Sequence, residues 1–376
     1  MKVLYIITRS DRGGGQVALL DLLAHLPPDI DPVVAAGEEG FLSETCAQRG
    51  VPFRLVRGLV APISPVRDCS ALVRLISLIR SEKPRLIHAH TSKAGILGRM
   101  AAWLTRTPII FTAHTWSFDE GVPSLRRKVA IPLERFAASI GGRIITVSDA
   151  NTNKALRHAV ASKQSMIRIW NGVPDSDLRA KPGTRDEVTM ISVARMVPQK
   201  DFELLIRSLA GVEGNWRLQL VGDGPLRPSL ESLGEQLGLT SRLQFLGERN
   251  DVAKLLSNAD IFLLISKWEG LPISIIEAMR AGLPVIASDV GGVNEMVEPE
   301  INGLLTRMED EEMLRGCIKR LIASPSTMAE FGIAGRRRFE RDFRIETNVA
   351  KTMVVYEEVL GSTGMLTPLS DSRQAK

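Results

Sequence analysis

Short apolar runs alternate with helical patterns along almost the whole chain, and that alternation leaves room for little besides parallel sheets covered by helices. In the first half the runs fall at residues 2–8, 32–36, 53–56, 85–89, 108–112 and 143–147. In the second half they fall at 188–193, 217–221, 243–246, 260–265 and 283–287. Between the halves, 169–174 reads as strand, turn and linker, and the polar stretch 175–187 follows. The fold class is therefore α/β, with a first domain at 1–172 and a second at 173–343. A helix is expected over 344–360, and residues 361–376 have the composition of a disordered tail. At 376 residues the chain can bury two good cores.

Charge divides the same way. Residues 1–172 hold 23 Lys and Arg against 13 Asp and Glu, whereas the rest holds 25 against 30. All five histidines also lie in the first part. A basic half and an acidic half suggest bodies with different partners. Nucleic acid is not favoured, because there is no helix-turn-helix, zinc-finger spacing or aromatic RNA-binding motif. An anionic membrane surface or a lipid-phosphate acceptor fits the basic half. No apolar run approaches the roughly 20 residues that span a bilayer, and the first run is too short and strand-like for a signal peptide. A cytoplasmic protein, at most peripheral to the membrane, is expected. Cys46, Cys69 and Cys317 are too widely spaced for a disulfide framework or a metal cluster.

The candidate site centres on Trp268-Glu269-Gly270-Leu271-Pro272-Ile273-Ser274-Ile275-Ile276-Glu277. Gly270 loosens a loop, Pro272 suits a first helical position, and Glu277 falls about a turn and a half into the helix. The stretch follows a strand, so it lies at a carboxyl edge where open α/β sheets bind ligands. Two acids, one in the loop and one in the helix, can grip the two ends of an extended ligand, with the helix N-terminus offering N–H groups to an anion between them. Taken alone, a dipole-favoured acid and a solvated mid-helix Glu would explain the pattern as well.

Other loops at strand ends carry matching chemistry. Gly13, Gly14 and Gly15 form a strand-to-helix turn that lets a phosphate or sugar approach the backbone, or else a flexible surface loop. Arg195 and Lys200 share one short loop and can both reach one pyrophosphate. Gly222-Asp223-Gly224 and Gly291-Gly292 are tight turns, and Arg249 sits in a further loop. His88 and His90 point the same way on a strand, but no third ligand of the right type is near, so a metal site is not expected. His90 and Lys93 are expected to line the cleft between the domains. His114 ends the fifth run. Residues 124–140 combine Arg126, Arg127, Lys128 and Arg135 with Val129, Ile131, Leu133 and Phe136. That segment reads either as a basic amphipathic surface on anionic lipid or as a charged face over an ordinary core stripe. Pro132 predicts a kink or break within it, and Ser148 is a plausible cap for the helix that follows.

Taken in order, these motifs resemble the E-x7-E signature of retaining GT-B glycosyltransferases, the family 4, group 1 type, over roughly residues 1–360. The resemblance implies two Rossmann-like domains facing a cleft, with a last helix that crosses back to the first. It implies a nucleotide-sugar held mainly by the second domain and an acceptor held by the first. Glu269 would hold sugar hydroxyls, Glu277 the ribose, and His114 the sugar from the opposite domain. Arg195 and Lys200, in a G-R-x-x-x-x-K pattern with Ala194 in place of the usual Gly, would take the leaving diphosphate, so no metal or other cofactor is required. Gly14 and Gly15 would face the donor phosphate and acceptor. Gly222, Gly224, Arg249, Gly270 and Leu271 would border the nucleotide.

The donor expected is a UDP-sugar, with an N-acetylhexosamine favoured. The acceptor expected is lipid-diphosphate-linked, because 90–99 resembles enzymes of that kind, or else a polysaccharide. Transfer would retain configuration by front-face displacement. The alternatives are a GDP-mannose-dependent transferase, a GT-B epimerase of UDP-N-acetylglucosamine, which would need acid/base carboxylates in the first domain, and a non-catalytic scaffold.

Overall fold

The computed structural model describes residues 1–60 and 64–362. Among them, the first sheet contains β1 (Lys2–Ile7), β2 (Asp31–Ala36), β3 (Phe53–Leu55), β4 (Leu86–His90), β5 (Ile109–Ala113), β6 (Arg143–Thr146) and β7 (Met166–Arg168). The second contains β8 (Val188–Val193), β9 (Trp216–Val221), β10 (Leu243–Gly247), β11 (Ile261–Leu264), β12 (Val285–Ser288) and β13 (Gly303–Thr306). The spatial orders are β3-β2-β1-β4-β5-β6-β7 and β10-β9-β8-β11-β12-β13. The strand pairings within both sheets are parallel. Strand order reverses beside β1 and beside β8, which places a ligand-binding crevice at the carboxyl ends of those strands.

The strands are apolar on both faces because helices cover both faces. In β1, Leu4 and Ile6 enter one core, while Val3, Tyr5 and Ile7 enter another. The second core includes Ile345, Val349, Val355 and Tyr356 of the last helix, Ile345–Ser362. The C-terminal helix therefore packs on the first sheet. To reach it the chain runs beside its own earlier crossing: Val173 N–H bonds to Phe343 O at 3.0 Å, and Ile345 N–H bonds to Val173 O at 3.1 Å.

Several expectations need correction. The last strand of the first sheet is Met166–Arg168, before the apolar Ile169 and Trp170, and Gly303–Thr306, which begins within the Asn302-Gly303 pair that reads as a turn, is an edge strand of the second sheet. Residues 124–139 form one helix with Pro132 inside it, so the chain does not break there. Pro272 caps its helix with extended backbone, and the helix begins at Ile273. The long helix Pro325–Asp342 lay outside the sequence reading; its Gly332 packs against the Gly282 backbone. Ser148 does cap Asp149–Arg157, accepting from Asn151 N–H at 3.1 Å. Of the expected disordered tail, residues 361 and 362 continue the last helix, and 363–376 lie outside the described residues.

Two buried polar clusters fix the first domain. Arg99, on helix Ser92–Thr105, donates to Glu134 Oε2 at 2.7 Å, and both side chains are fully buried. Ser117 donates to the other Glu134 oxygen at 3.2 Å, and Arg99 lies 4.6 Å above the Phe111 ring. Removing one partner of a buried ion pair leaves an uncompensated charge. Glu134→Ala should therefore cost about 3–5 kcal/mol, read from urea unfolding. The double variant Arg99→Met/Glu134→Leu should cost clearly less.

In the second cluster, His88 Nδ1 and Nε2 each lie 2.7 Å from a hydroxyl, those of Tyr356 and Thr112. Tyr356 in turn donates to Tyr5 Oη at 3.1 Å. One neutral tautomer satisfies this chain: His88 Nδ1–H donates to Tyr356, and Nε2 accepts from Thr112. Burial keeps His88 neutral, its pKa pushed down to about 3, and pushes that of His114 down to about 4. The unfolded chain takes up these protons near pH 6.5, so the folded state binds fewer of them from there down to about pH 4. Stability should be full above pH 6.5 and fall steadily below it. A thermal-unfolding series from pH 8 to pH 4 should show this, with a shallower slope for His88→Gln.

Candidate active site

The carboxyl edges of the two sheets enclose a cleft of about 660 Å³, within the range of ligand sites. From the first sheet, β1 delivers the glycine loop and helix Gly14–Ala24, and β5 delivers His114. Gly13 caps that helix without a side-chain hydrogen bond, so an anion meets bare N–H groups. A Cβ on Gly15 would sit 3.5 Å from the His114 ring, which places helix start and imidazole side by side. From the second sheet, β8 supplies Arg195 and Lys200, β9 supplies Gly222, and β11 leads into Glu269, Gly270 and Leu271.

Of the residues expected in the site, Gly14, Gly15, His114, Arg195, Lys200, Gly222, Arg249, Glu269, Gly270, Leu271 and Glu277 all line this cleft. Gly224 is not among the lining residues: it packs against the backbone of Met196, where a Cβ would come within 2.3 Å of the carbonyl oxygen. His90 lies behind His114, and Lys93 is ion-paired with Asp68 at 2.6 Å, so neither lines the cleft.

Gly270 shows why this loop must be glycine. A Cβ there would fall 2.0 Å from the His114 carbonyl oxygen, so the two domains meet backbone to backbone. The His114 carbonyl also accepts from Asn151 Nδ2 at 3.1 Å. Asn171 crosses at the same level, donating to Leu271 O at 2.9 Å. The next helix, Ile273–Ala281, lacks a side-chain cap because Pro272 has none to give, and its first turn presents N–H groups to the cleft.

Every expected cation has a carboxylate or carbonyl beside it. Lys200 Nζ contacts Glu269 Oε1, which also accepts from Ser266 Oγ at 2.7 Å. Arg195 donates to Asp11 Oδ2 at 2.7 Å, across the cleft. Arg12, from the same loop as Asp11, donates to Arg249 O at 2.7 Å and to Asn250 Oδ1 at 3.0 Å. Arg249 pairs through its side chain with Asp251. Glu277 is half-buried, and burial raises its pKa to about 6; Asp21 adds to that rise, while Arg280 and Arg12 oppose it.

His114 Nε2 lies 3.1 Å from His90 Nδ1, which leaves Nδ1 of His114 as the nitrogen open to a ligand. His90 is held neutral by burial, and its Nε2 has no protein partner. That atom borders a small second cavity closed by Asn348 and Thr352 of the last helix. Asp11, Arg12, Asn171 and His90 are thus functional neighbours that the sequence reading gave no cleft contact or placed differently. Asp11 and Arg12 adjoin the glycine loop, and that adjacency was the available signal.

Two D-x-D tripeptides occur, at 29–31 and 175–177. Neither lines the cleft, and Arg336 holds the Asp175 carboxyl well below the usual range. Among the described residues, no group of three or more His, Cys, Asp or Glu is placed to hold a metal ion.

Comparison with known proteins agrees with this geometry. Residues 13–170 match the family described as "Glycosyl transferase 4-like domain", and residues 175–338 match "Glycosyl transferases group 1". The chain is 31% identical over 277 residues to the UDP-Gal:alpha-D-GlcNAc-diphosphoundecaprenol alpha-1,3-galactosyltransferase of Escherichia coli, covering 69% of this chain and 72% of the relative. It is 25% identical to the putative glycosyltransferase EpsD of Bacillus subtilis, covering 74% and 77%. Among solved structures, Anabaena HepE in complex with UDP and glucose superposes with a TM-score of 0.84 at 23% identity, covering 95% of this chain and 100% of that one. Sucrose-phosphate synthase from Thermosynechococcus elongatus gives 0.81 at 20% identity, covering 96% and 100%. Both superpositions speak to the fold. With its two sheets, its cleft and both family matches, the chain belongs to the GT-B glycosyltransferases of group 1 with a family 4-like first domain.

Proposed function

We propose that this glycosyltransferase moves a hexosyl or N-acetylhexosaminyl group from a UDP-sugar to a lipid-diphosphate-linked saccharide, with retention of anomeric configuration and without a metal. The reading places the acceptor in the first domain, 1–172, and the donor mainly in the second, 173–343, with the reaction at the cytoplasmic face of a membrane. The observation that carries it is the convergence of Arg195, Lys200 and the uncapped start of Ile273–Ala281 on one wall, opposite His114. A relative at 31% identity whose name specifies UDP-Gal and a diphosphoundecaprenol acceptor supports both halves of the assignment.

The chemistry follows from where charge develops. As the glycosidic bond to the leaving diphosphate stretches, negative charge grows on phosphate oxygens and positive charge on the sugar ring. Arg195 and Lys200 meet the first as fixed, preorganised cations, and the helix N-terminus adds its dipole. Glu269 holds sugar hydroxyls, Glu277 takes the ribose diol, His114 meets the sugar through Nδ1, and Gly14 and Gly15 admit phosphate close to the backbone. Gly222, Arg249 and Leu271 border the nucleotide. In front-face displacement the acceptor oxygen bonds to the anomeric carbon as the phosphate oxygen departs, and the acceptor proton passes to that phosphate. The first-domain carboxylate at the cleft, Asp11, is ion-paired with Arg195 at 2.7 Å, and the other first-domain groups beside His114 are glycines, Gln16, Thr91, Thr115 and Asn171. That composition favours transfer over epimerisation, which needs acid/base carboxylates there.

Calorimetry with UDP, GDP and ADP tests the donor. UDP should bind best, and Arg195→Ala should weaken it by about tenfold or more, as loss of a charge-assisted hydrogen bond of about 1.5–3 kcal/mol implies. Preference for GDP would transfer the assignment to a mannosyl donor. Glu269→Gln should leave UDP affinity nearly intact yet lower turnover by about a hundredfold, the scale of one lost transition-state contact. NMR of the product should show the donor's anomeric configuration, and an inverted product would refute front-face displacement. Because Glu277 is raised to about 6 by burial, ribose binding to its ionised form should weaken below pH 6 and hold steady above it. Glu277→Gln should remove that part of the pH dependence.

A further inference from the structure

The helix Ser124–Ser139 is amphipathic in the reverse sense for a helix packed on a domain. Its inward face is Ala130, Glu134 and Ala137, all buried. Ile131 packs on the core, but the other four large apolar residues face out: Leu125 is 74% exposed, Phe136 48%, Val129 45% and Leu133 37%. The steps of four, four and three residues between them keep all four on one stripe. Of the apolar residues read as a core stripe, only Ile131 packs on the core, while Val129, Leu133 and Phe136 are exposed.

Cations flank the stripe on both sides. At 3.6 residues per turn, Arg126 lies along one edge and Lys128 and Arg135 along the other; Arg135 also donates to His158 O at 2.7 and 2.9 Å. The one acid in the helix, Glu134, is buried against Arg99. On helix Ser92–Thr105, one turn beyond Arg99, Trp103 is 59% exposed, and Leu104 beside it is exposed too. An apolar stripe edged by Lys and Arg, with an exposed Trp nearby, is the pattern of a helix lying in a bilayer interface.

We infer that helix Ser124–Ser139 is a docking surface for an anionic phospholipid bilayer. The inference deepens the proposed function and rests on it for its purpose, which is to bring the cleft to a lipid-anchored acceptor. Among the described residues no helix is long and apolar enough to cross a membrane, so the contact is one of lying on the surface. The helix begins only ten residues after His114 in the sequence. The intervening loop reaches the far wall, where a Cβ on Gly121 would strike the Trp268 ring beside Glu269. Cations on the stripe's flanks favour an anionic surface over a neutral one, since each near the headgroups adds attraction that salt screens.

The test is co-sedimentation of the full chain with phosphatidylglycerol/phosphatidylcholine vesicles and with phosphatidylcholine vesicles alone. Binding should be at least about tenfold stronger to the anionic vesicles and weaken in high salt. Leu125→Glu/Phe136→Glu should reduce it by about tenfold or more, and Arg126→Glu/Lys128→Glu should do the same. UDP affinity of both double variants should stay within about twofold of the parent, which shows an intact fold and cleft. Failure of the parent to bind anionic vesicles, or unchanged binding by the Leu125/Phe136 variant, overturns the surface while leaving the glycosyltransferase reading in place. A vesicle-free dimer that the same variant dissolves also overturns it, because the stripe would then be a subunit contact. Loss of UDP binding by the parent would count against the donor assignment alone.

Discussion

Everything in the site depends on one contact without side chains. The backbone at Gly270 lies against the His114 carbonyl, at a separation that would put a Cβ 2.0 Å from the oxygen. Any other residue there would push the loop carrying Glu269 away from the strand end carrying His114. Gly291 repeats the device one layer further in: with φ at +56°, it turns beneath the Glu269 carbonyl, 1.9 Å from where a Cβ would stand. Glycine occupies these positions because close backbone approach and left-handed geometry both exclude a side chain. The cleft is an assembly of strand ends held face to face by missing atoms.

Electrostatics sets the resting state of that cleft. Arg195 is matched by Asp11 from the opposite domain, and Lys200 by Glu269 from its own. The Arg195 pair is partly exposed and so worth little on its own. A diphosphate offers more charge and more acceptor oxygens than Asp11 does, so exchange of partners is favourable for the arginine. The histidines behave differently. His88, His90 and His114 are neutral because burial denies them a proton; His88 bonds to Tyr356 on the last helix, while His90 and His114 bond to each other. The helix that closes the chain therefore also braces the strand behind the His114 wall of the cleft.

Much of this was legible in the residues. Among the described residues, the apolar runs marked eleven of thirteen strands, because a strand buried on both faces is continuously hydrophobic. The two that were misplaced, Met166–Arg168 and Gly303–Thr306, are two of the four edge strands. Both are short and adjoin a turn signal, Asn171-Gly172 after the first and Asn302-Gly303 at the start of the second, which blurs their bounds. Helix Pro325–Asp342 escaped notice because Gly332, needed for close packing on the Gly282 backbone, and Gly335 lower its apparent helix propensity. Pro132 does not break its helix, because on the exposed face of a surface helix the carbonyl left without an N–H partner can be met by solvent.

Sequence by itself determined the α/β class, the strand-end loops that carry chemistry, and a set of candidate site residues of which all but Gly224 line the cleft, because those follow from local periodicity and from which residue types tolerate each turn. Tertiary structure alone decided who faces whom. Asp11 opposite Arg195, His90 behind His114 and Tyr356 against His88 join positions far apart in the chain. Only the packing of two sheets and a returning helix brings them within hydrogen-bond reach. It also decided which way the helix Ser124–Ser139 turns its apolar stripe: periodicity names the residues on a face, whereas the neighbours available to bury them choose the face that meets the core.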